Sequence, residues 1–342
     1  MPESLDKVLG LLEKKFGKGT VGYASKYTGL DVKRMPTGSF SMDLETGGGY
    51  PLGRIVEIYG DLSSGKTTLA LKAIVETQER GKNAVYIDAE GCFDPVWAKT
   101  LGVNLETLRL SKTDKAEVML SVANACVRSG DCGILVIDSV AALAPQMDED
   151  KGFDEPETLG DRAIMMNRFI RRTQSALNLK EDGTIPNECL VILINQTREA
   201  IGARGDPTRT TGGRGIGFGA SIRILVRRKD WIKEGTGDNE EVVGQTIHFR
   251  TTKSKVYMPY REGDIDFYIK DAYGVKKGEI DRLKEVVNYG VYYNIIKQAG
   301  AFFSYDSHKF QGREKLVAFF KDNIKEAVKV KSEIMAVALR TT

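Results

Sequence analysis

Hydrophobic positions near the N-terminus repeat with the period of an α-helix. The segment Leu5–Phe16 carries them on one face and ends at Gly17, a residue that commonly stops helices. The apolar face consists of Leu5, Val8, Leu9, Leu12 and Phe16. Because so short a helix is marginal in isolation, we expect this face to pack either on the chain's own core or on a neighbouring molecule.

From about Asp31 onward, short apolar and β-branched runs alternate with longer helical stretches. The predicted strands are Arg54–Tyr59, Ala84–Ile87, Ile134–Ile137 and Leu190–Ile194, and the predicted helices are Thr67–Arg80, Lys115–Arg128 and Arg162–Leu179. Continuous apolar strands separated by helices are typical of a parallel sheet that is covered on both faces. The pattern therefore predicts an α/β fold with a mainly parallel central sheet.

The pattern changes again after Gly217. Three predicted strands, Ile222–Arg228, Gln245–Thr252 and Ile265–Ile269, follow one another without long helices, so we expect antiparallel additions to the sheet. Beyond about Asp271 the chain is helical and rich in lysine, which predicts a small separate C-terminal domain.

Composition and charge narrow the class of protein. The 342-residue chain has 41% hydrophobic and 28% charged residues, as soluble globular proteins do, and its net charge is only +3. A polyanion would therefore have to meet local basic clusters. The longest apolar runs, such as Gly133–Ile137 and Leu190–Ile194, are too short to cross a bilayer, and the N-terminus lacks a signal-like apolar core. We expect a cytoplasmic protein without a membrane partner.

Cysteine and histidine usage argues against a metal site of the zinc type. The chain has four cysteines and two histidines, namely Cys92, Cys126, Cys132, Cys189, His248 and His308. No CxxC pair is present, and two histidines make a zinc site or a histidine-based triad implausible. We expect free thiols in a reducing compartment.

A glycine-rich segment, GDLSSGKTT, matches the phosphate-binding pattern GxxxxGK[ST] and lies between a predicted strand and a predicted helix. In this context backbone N–H groups and the helix N-terminus form a positive cradle for phosphates. We expect Lys66 to reach the β- and γ-phosphates of ATP and Thr67 to offer a hydroxyl to Mg²⁺. The predicted nucleotide-binding residues are Gly60, Asp61, Leu62, Ser63, Ser64, Gly65, Lys66, Thr67 and Thr68.

Polar side chains follow the ends of three predicted strands. Asp138 is the expected Mg²⁺ partner, because it ends an apolar strand beside the phosphate loop. Strand Ala84–Ile87 is followed by Asp88 and Glu90, and Glu90 is the better candidate for polarising the attacking water. A role as a strand-end cap is the alternative for Asp88 and, less so, for Glu90. The third strand ends in Asn195 and Gln196, and a neutral amide there can bind the γ-phosphate without adding negative charge.

Taken together, the segments EIYGDLSSGKTT, IDAE, LVIDSVAAL, LINQ, TTGGRGIGFGAS and AGAFFSY occur in the order and with a spacing similar to those of bacterial RecA proteins. The chain resembles the bacterial RecA recombinase family over nearly its whole length. The resemblance implies a RecA-type P-loop ATPase core with an N-terminal helix and a small α/β C-terminal domain. It also implies a DNA-dependent ATPase that forms ATP-bound helical filaments on single-stranded DNA and catalyses homologous pairing and strand exchange.

The resemblance also implies a division of the chain and a set of partners. Residues 1–30 would be a polymerisation helix and linker, residues 31–268 the ATPase core with two DNA-binding loops, and residues 269–342 a domain for duplex DNA capture. Lysines are mostly exposed in any case, so a solvated basic face is an equally good interpretation of the last domain. The implied partners are single-stranded DNA, duplex DNA and further copies of the chain, with single-strand-binding or loader proteins as further candidates.

Several site residues are implied in the same way. Glu90 would be the catalytic carboxylate and Gln196 the γ-phosphate sensor, while Asp94 and Trp97 match positions that contact adenine. The residues implied at the interface between subunits are Lys253 and Lys255, which would reach the neighbour's ATP, Phe218, which would couple ATP to the filament state, and Leu9, Leu12 and Phe16 of the first helix.

The resemblance also implies that two loops, around residues 148–162 and 198–214, face DNA. The second loop is rich in arginine and glycine and nearly free of acids after Glu199, which suits a phosphate backbone, although a solvated basic loop would look similar. The predicted DNA-binding residues are Leu159, Gly160, Arg162, Arg171, Arg198, Arg204, Arg209, Gly212, Gly213 and Arg214.

The chain departs from the family pattern at several places. Asp61 stands where the phosphate loop usually has a proline, Gly217 replaces a usual lysine and Ile269 replaces a usual aromatic residue. The second loop is one residue shorter, lacks a common aromatic near Arg204, and no acidic tail follows VALR. These differences indicate a divergent or phage-encoded member and bear on how strongly ATP and DNA binding are coupled.

Two other functions use the same phosphate loop. A ring-forming hexameric helicase would normally carry a dedicated arginine finger and an N-terminal primase-interacting domain, where this chain has a short helix and a lysine pair. A small-molecule kinase would need an acceptor pocket and a lid, and it would leave the two predicted DNA loops unexplained.

Overall fold

The computed structural model describes residues 4–17, 32–146, 160–178, 180–181, 185–199 and 208–340. The chain divides into two compact units, Met1–Lys33 and Arg34–Thr342. The first contains helix α1, Leu5–Phe16, on which no side chain is buried. The N–H of Gly17, at a φ of 99°, donates to the carbonyl of Glu13 and ends this helix.

The second unit carries the remaining helices. Among the described residues these are α2 (Phe40–Glu45), α3 (Lys66–Glu79), α4 (Pro95–Thr100), α5 (Ala116–Arg128), α6 (Asp161–Leu177), α7 (Arg214–Gly219), α8 (Arg282–Tyr292), α9 (Arg313–Asp322) and α10 (Ile324–Arg340). None of the helices described is long and apolar enough to cross a membrane.

Sixteen strands are found in the described part of the same unit. They are β1 (Arg34–Met35), β2 (Tyr50–Pro51), β3 (Ile55–Gly60), β4 (Asn83–Asp88), β5 (Leu108–Ser111), β6 (Cys132–Asp138), β7 (Lys180–Glu181), β8 (Ile185–Pro186), β9 (Leu190–Glu199), β10 (Thr208–Thr210), β11 (Ile222–Glu234), β12 (Glu241–Ser254), β13 (Glu262–Tyr268), β14 (Lys297–Ala299), β15 (Phe302–Tyr305) and β16 (His308–Gln311).

One large sheet organises the molecule. Its strand order is β13-β12-β11-β3-β9-β6-β4-β5, with β10 added antiparallel to β9. Strands β11 through β5 in this order are parallel, and β12 and β13 are antiparallel. The predicted α/β fold with a mainly parallel sheet is therefore confirmed.

The prediction was wrong for one strand. We expected antiparallel pairing throughout the segment after Gly217, but β11 pairs parallel with β3, with Ile222 opposite Val56. The chain passes through α7 before it re-enters the sheet, so β11 begins at the same end of the sheet as β3. After β11 the pairing is antiparallel as expected, because β12 pairs antiparallel with β11 and β13 pairs antiparallel with β12.

Apolar side chains cover both faces of the sheet. On one face Ile58 and Ile192 pack with Leu69 of α3, and on the other Leu135 and Leu193 pack with Phe169 of α6, all of them nearly or fully buried. A third core joins Phe40 and Leu44 of α2 to apolar side chains of α8, α9 and α10. Because the parallel strands share a direction, their polar carboxyl ends meet at one edge, where Gly60 lies opposite Gln196 and Asp88 opposite Asp138.

Candidate nucleotide site and nucleic-acid interface

The phosphate loop needs glycine at both of its turns. A Cβ at Gly60 would lie 1.9 Å from the carbonyl oxygen of Val226, and a Cβ at Gly65, whose φ is 99°, would lie 2.5 Å from Ile247 Cδ1. Neither position leaves room for a side chain. The loop therefore follows the strand edge closely and leads directly into α3.

Lys66 closes this loop. Its ammonium group donates to the carbonyl of Asp61 at 2.6 Å, and the residue is only 8% exposed. Burial lowers the pKa of Lys66, while the nearby charges of Asp138, Glu90 and Asp61 oppose that shift. The buried Ser64 Oγ has no hydrogen-bond partner among the described residues. A cationic group, an unpaired hydroxyl and the start of α3 fit a phosphate group well.

A hydroxyl and a carboxylate meet beside the loop. Thr67 Oγ1 donates to Asp138 Oδ2 at 2.7 Å, and the Tyr86 hydroxyl donates to the same oxygen at 2.7 Å. Burial raises the pKa of Asp138, and the hydrogen bonds from Thr67 and Tyr86 counteract the rise. Oxygen ligands of these two kinds are those that Mg²⁺ prefers. Tyr86 was not predicted; its signal was a hydroxyl within the otherwise apolar run of β4.

Glu90 and Gln196, predicted separately, lie in contact. Gln196 Nε2 donates to Glu90 Oε1 at 2.9 Å, and the Ser139 hydroxyl donates to the same oxygen. The carboxylate of Glu90 is thus oriented by two neutral donors from β9 and from the end of β6. Ser139 was also not predicted, because its role depends on β6 lying next to β4.

Asp88, the other acid at the end of β4, binds backbone N–H groups of the segment that follows the strand. Its carboxylate accepts hydrogen bonds from the N–H groups of Cys92 and Phe93, each at 3.1 Å, and only 4% of the residue is exposed. Lys112 lies 3.9 Å away. These contacts support the capping interpretation for Asp88.

Asp94 and Trp97 belong to the short helix α4. Asp94 Oδ1 caps that helix by accepting from the N–H groups of Val96 and Trp97, at 2.8 and 3.0 Å. The half-buried Trp97 ring packs edge to face on Phe267, with the ring centroids 6.0 Å apart. The structure thus explains how both residues are held, and their contact with adenine stays a prediction.

The lysine pair and Phe218 form one cluster at the end of α7. Lys253 Nζ donates to the carbonyls of Gly217 and Phe218 at 2.6 and 3.0 Å, and Lys255 Nζ donates to that of Phe218 at 3.0 Å. Burial and the neighbouring cations Lys255 and Arg223 lower the pKa of Lys253 to about 8. The Phe218 side chain is 73% exposed, so this cluster presents two cations and an aromatic ring together.

A buried polar network, which was not predicted, connects β3 with β10. Glu57, fully buried, accepts from Asn195 Nδ2 at 3.0 Å and pairs with Arg223 Nε at 2.5 Å. The same two partners also contact β10 and the residue that follows it. Arg223 Nη2 donates to Thr210 Oγ1 at 3.2 Å, and Asn195 Nδ2 donates to the carbonyl of Thr211 at 2.8 Å. The base of the second predicted DNA loop is therefore anchored to the centre of the sheet.

The structure describes the two ends of that loop. Strands β9 and β10 form a hairpin in which Arg198 and Arg209 are opposite one another in register. Arg204 lies outside the described residues. After the hairpin come Gly212 and Gly213, at φ of 87° and 79°, and their positive φ favours glycine.

The second loop ends against α6, the helix that follows the first predicted loop. A Cβ on Gly213 would approach the Cβ of Ala163 to 2.7 Å. Arg214 and Arg171 are exposed, and Arg162 is half-buried with its Nε unpaired among the described residues. Leu159 lies outside those residues, and Gly160 directly precedes α6. The structure thus brings the ends of both predicted loops together.

The family models agree with this geometry. The model described as RecA N-terminal domain matches residues 3–274, and the model described as RecA C-terminal domain matches residues 284–339. Together they account for nearly the whole chain.

Comparison with curated relatives agrees with the family models. The chain is 39% identical to Protein RecA of Bacillus velezensis over 94% of this chain and 88% of the relative. It is 41% identical to Protein RecA of Macrococcus caseolyticus over 94% and 86%, and 38% identical to Protein RecA of Clostridium acetobutylicum over 97% and 90%. With both domain models matched and such relatives aligned over most of their length, the chain belongs to the RecA family of recombinases.

Proposed function

We propose that the chain binds ATP together with Mg²⁺ at its phosphate loop and assembles on single-stranded DNA as a helical polymer that pairs and exchanges homologous strands. As a member of the RecA family, the chain is a DNA-dependent ATPase and recombinase. The proposal assigns the parts of that activity to particular residues. The family assignment offers no support for the ring-forming helicase.

One observation carries the assignment. Two polar pairs lie beside the phosphate loop: Thr67 of α3 with Asp138 at the end of β6, and Glu90, just after β4, with Gln196 of β9. The first pair would hold Mg²⁺, which would offset the charge of the phosphates. The second pair combines a carboxylate that can take a proton from water with an amide that can sense the γ-phosphate.

The residues of the loop would act as follows. Lys66 would exchange the carbonyl of Asp61 for phosphate oxygens, a stronger, charge-assisted partner. Glu90, held by Gln196 and Ser139, would orient the attacking water and accept its proton. Asp94 and Trp97 would bind the adenine end of the nucleotide.

The exposed cluster at the end of α7 suits a site that is shared between subunits. Lys253 and Lys255 would stabilise charge on the neighbour's ATP, and Phe218 would pack across the interface. The N-terminal helix, with Leu9, Leu12 and Phe16 on its unburied apolar face, would dock on the next subunit. Contacts of this kind would be heterologous, and they would generate an open helical polymer provided that the rotation between subunits does not close a ring.

DNA would be bound by different parts of the chain. The ends of the two loops, with Arg162, Arg198, Arg209 and Arg214, would meet the phosphates of the single strand, together with Arg171 of α6. In this scheme residues 1–30 serve polymerisation, residues 31–268 form the ATPase core, and residues 269–342 capture duplex DNA.

Replacing Glu90 by glutamine tests the assignment. Glu90→Gln should bind an ATP analogue and form filaments on single-stranded DNA in electron micrographs, yet hydrolyse ATP about 10²- to 10⁴-fold more slowly, because the general base is lost. Asp88→Asn is the matched control, since Asp88 caps backbone N–H groups. It should lower stability and leave the turnover of the folded protein within about threefold of the original. Wild-type turnover by DNA-bound Glu90→Gln would remove Glu90 from the catalytic role.

A further inference from the structure

The phosphate loop contains an acidic side chain where a proline is usual in the family. Asp61 is exposed, and its Oδ1 accepts a hydrogen bond from Thr197 Oγ1 at 2.5 Å. A proline at this position could not accept such a bond. Asp61 therefore makes a side-chain contact that the usual residue would not make.

The two partners belong to different parts of the site. Asp61 follows Gly60, the last residue of β3, and Thr197 follows Gln196, the register partner of Gly60 on β9. Thr197 in turn pairs with Thr210 in the β9–β10 hairpin. The hydrogen bond thus joins the phosphate loop to the base of the hairpin that leads into the second predicted DNA loop.

Asp61 also contacts the lysine of the phosphate loop. Its carbonyl accepts from Lys66 Nζ at 2.6 Å, while its carboxylate accepts from Thr197. When phosphates attract Lys66 away from this carbonyl, they also bring negative charge towards the carboxylate of Asp61. Like charges repel, so the donor on Thr197 becomes more important for holding Asp61 in place.

We propose that Asp61 and Thr197 are a pair of positioning residues that couples nucleotide binding to the conformation of the β9–β10 hairpin. The inference rests on the proposed function, in which nucleotide occupies the loop and single-stranded DNA contacts the hairpin. Coupling of this kind is reciprocal: nucleotide strengthens DNA binding by the factor by which DNA strengthens nucleotide binding.

Three substitutions separate the hydrogen bond from the charge. Thr197→Val removes the donor and keeps the carboxylate. Asp61→Asn keeps an acceptor oxygen for Thr197 and removes the charge. Asp61→Ala removes both, and combining it with Thr197→Val completes a double-mutant cycle.

The experiment measures the affinity for a fluorescent oligothymidine strand with and without a non-hydrolysable ATP analogue, and the ratio of the two affinities is the coupling. Thr197→Val and Asp61→Ala should each reduce this ratio about 3- to 10-fold, and the double variant should reduce it no further. Asp61→Asn should keep the ratio within about twofold of wild type. It should also lower the KM for ATP, because a negative charge beside the phosphates is gone.

Thr246→Val is the matched control. Thr246 Oγ1 donates to Asp266 Oδ1 at 2.7 Å across β12 and β13, so the variant loses the same type of hydrogen bond away from the phosphate loop. It should leave the ratio unchanged. A wild-type ratio in both Thr197→Val and Asp61→Ala would overturn the coupling role while leaving the proposed function intact. If wild-type protein itself shows neither nucleotide-dependent DNA binding nor DNA-stimulated hydrolysis, the proposed function fails and the pair fails with it.

Discussion

At the scale of the residue, burial decides which charges the site can use at a given pH. Lys253 illustrates this, because partial burial and two neighbouring cations lower its pKa to about 8. A lysine whose pKa is lowered loses its proton at a lower pH than an exposed lysine does. The positive charge of Lys253 is therefore present at neutral pH and is lost as the pH rises through about 8.

We expect kcat/KM for ATP, measured with saturating single-stranded DNA, to fall between about pH 7 and pH 9.5 as Lys253 loses its proton. Lys253→Arg should flatten this alkaline decline, since a guanidinium stays protonated throughout the range. Lys276→Arg is the control: Lys276 is an exposed lysine paired with Asp271, and its variant should retain the wild-type profile. An unchanged decline in Lys253→Arg would assign the titration to another group.

Residues at strand ends were predictable, and residues that act from a neighbouring strand were not. Asp138 and Gln196 come at or just after the ends of apolar runs, and that position places them at the carboxyl edge of a parallel sheet. Lys66 was predictable from the phosphate-loop pattern that precedes α3. Tyr86 and Ser139 lie beside them only because β4 and β6 are adjacent. No periodicity in a single sequence specifies that adjacency.

At the scale of the element, the backbone register of the β9–β10 hairpin bears on how the hairpin would respond to DNA. Its register sets Arg198 opposite Arg209, and like charges at opposed positions destabilise a strand pair. Phosphates bound there would offset positive charges at opposed positions. We therefore expect DNA binding to stabilise the hairpin.

Neutralising both arginines tests this expectation. Arg198→Gln with Arg209→Gln should weaken binding of single-stranded DNA and reduce the slope of log affinity against log salt by about 1.4, or about 0.7 for each lost phosphate contact. The slope can be obtained from anisotropy titrations at several salt concentrations. Arg80→Gln, which affects an arginine paired with Glu76 on α3, should not change it. An unchanged slope in the hairpin variant would exclude the hairpin as a main DNA contact.

The bounds of one helix were predicted correctly, whereas the direction of one strand was not. Helix α1 has the predicted bounds, because its apolar period is clear and Gly17 ends it. The direction of β11 was mistaken, because an apolar run has the same pattern whether its neighbour is parallel or antiparallel. The polar Asn195, fully buried against Glu57, likewise became understandable only once β3 and β9 were paired.

At the scale of the whole molecule, the lysine pair and the phosphate loop are expected to serve different nucleotides. Subunits carrying Lys253→Ala and Lys255→Ala keep an intact phosphate loop, and Lys66→Ala subunits keep both interface lysines. Mixed in equal amounts, they should form about a quarter of their interfaces with all parts intact, if assembly is random and head to tail. Some DNA-dependent ATP hydrolysis should then return.

The mixing experiment needs two further measurements. Each variant alone should be nearly inactive, and labelled subunits should demonstrate that the two variants enter the same filament. Recovery should depend on the mixing ratio and reach its maximum near equal amounts. Confirmed co-assembly without any recovery would contradict a site built from two subunits.

The third core has a consequence for how the molecule can be divided. Phe40 and Leu44 of α2 lie in the same core as α8, α9 and α10, and buried Glu285 of α8 accepts from the Ser39 hydroxyl at 2.6 Å and the Phe40 N–H at 2.7 Å. A truncation near residue 268 would expose the apolar side chains of α2 to solvent. It would also leave the Ser39 hydroxyl and the Phe40 N–H without their acceptor. The C-terminal domain therefore cannot be exchanged by itself. A chimera that takes this domain from a relative will also need an α2 whose side chains fit the new domain.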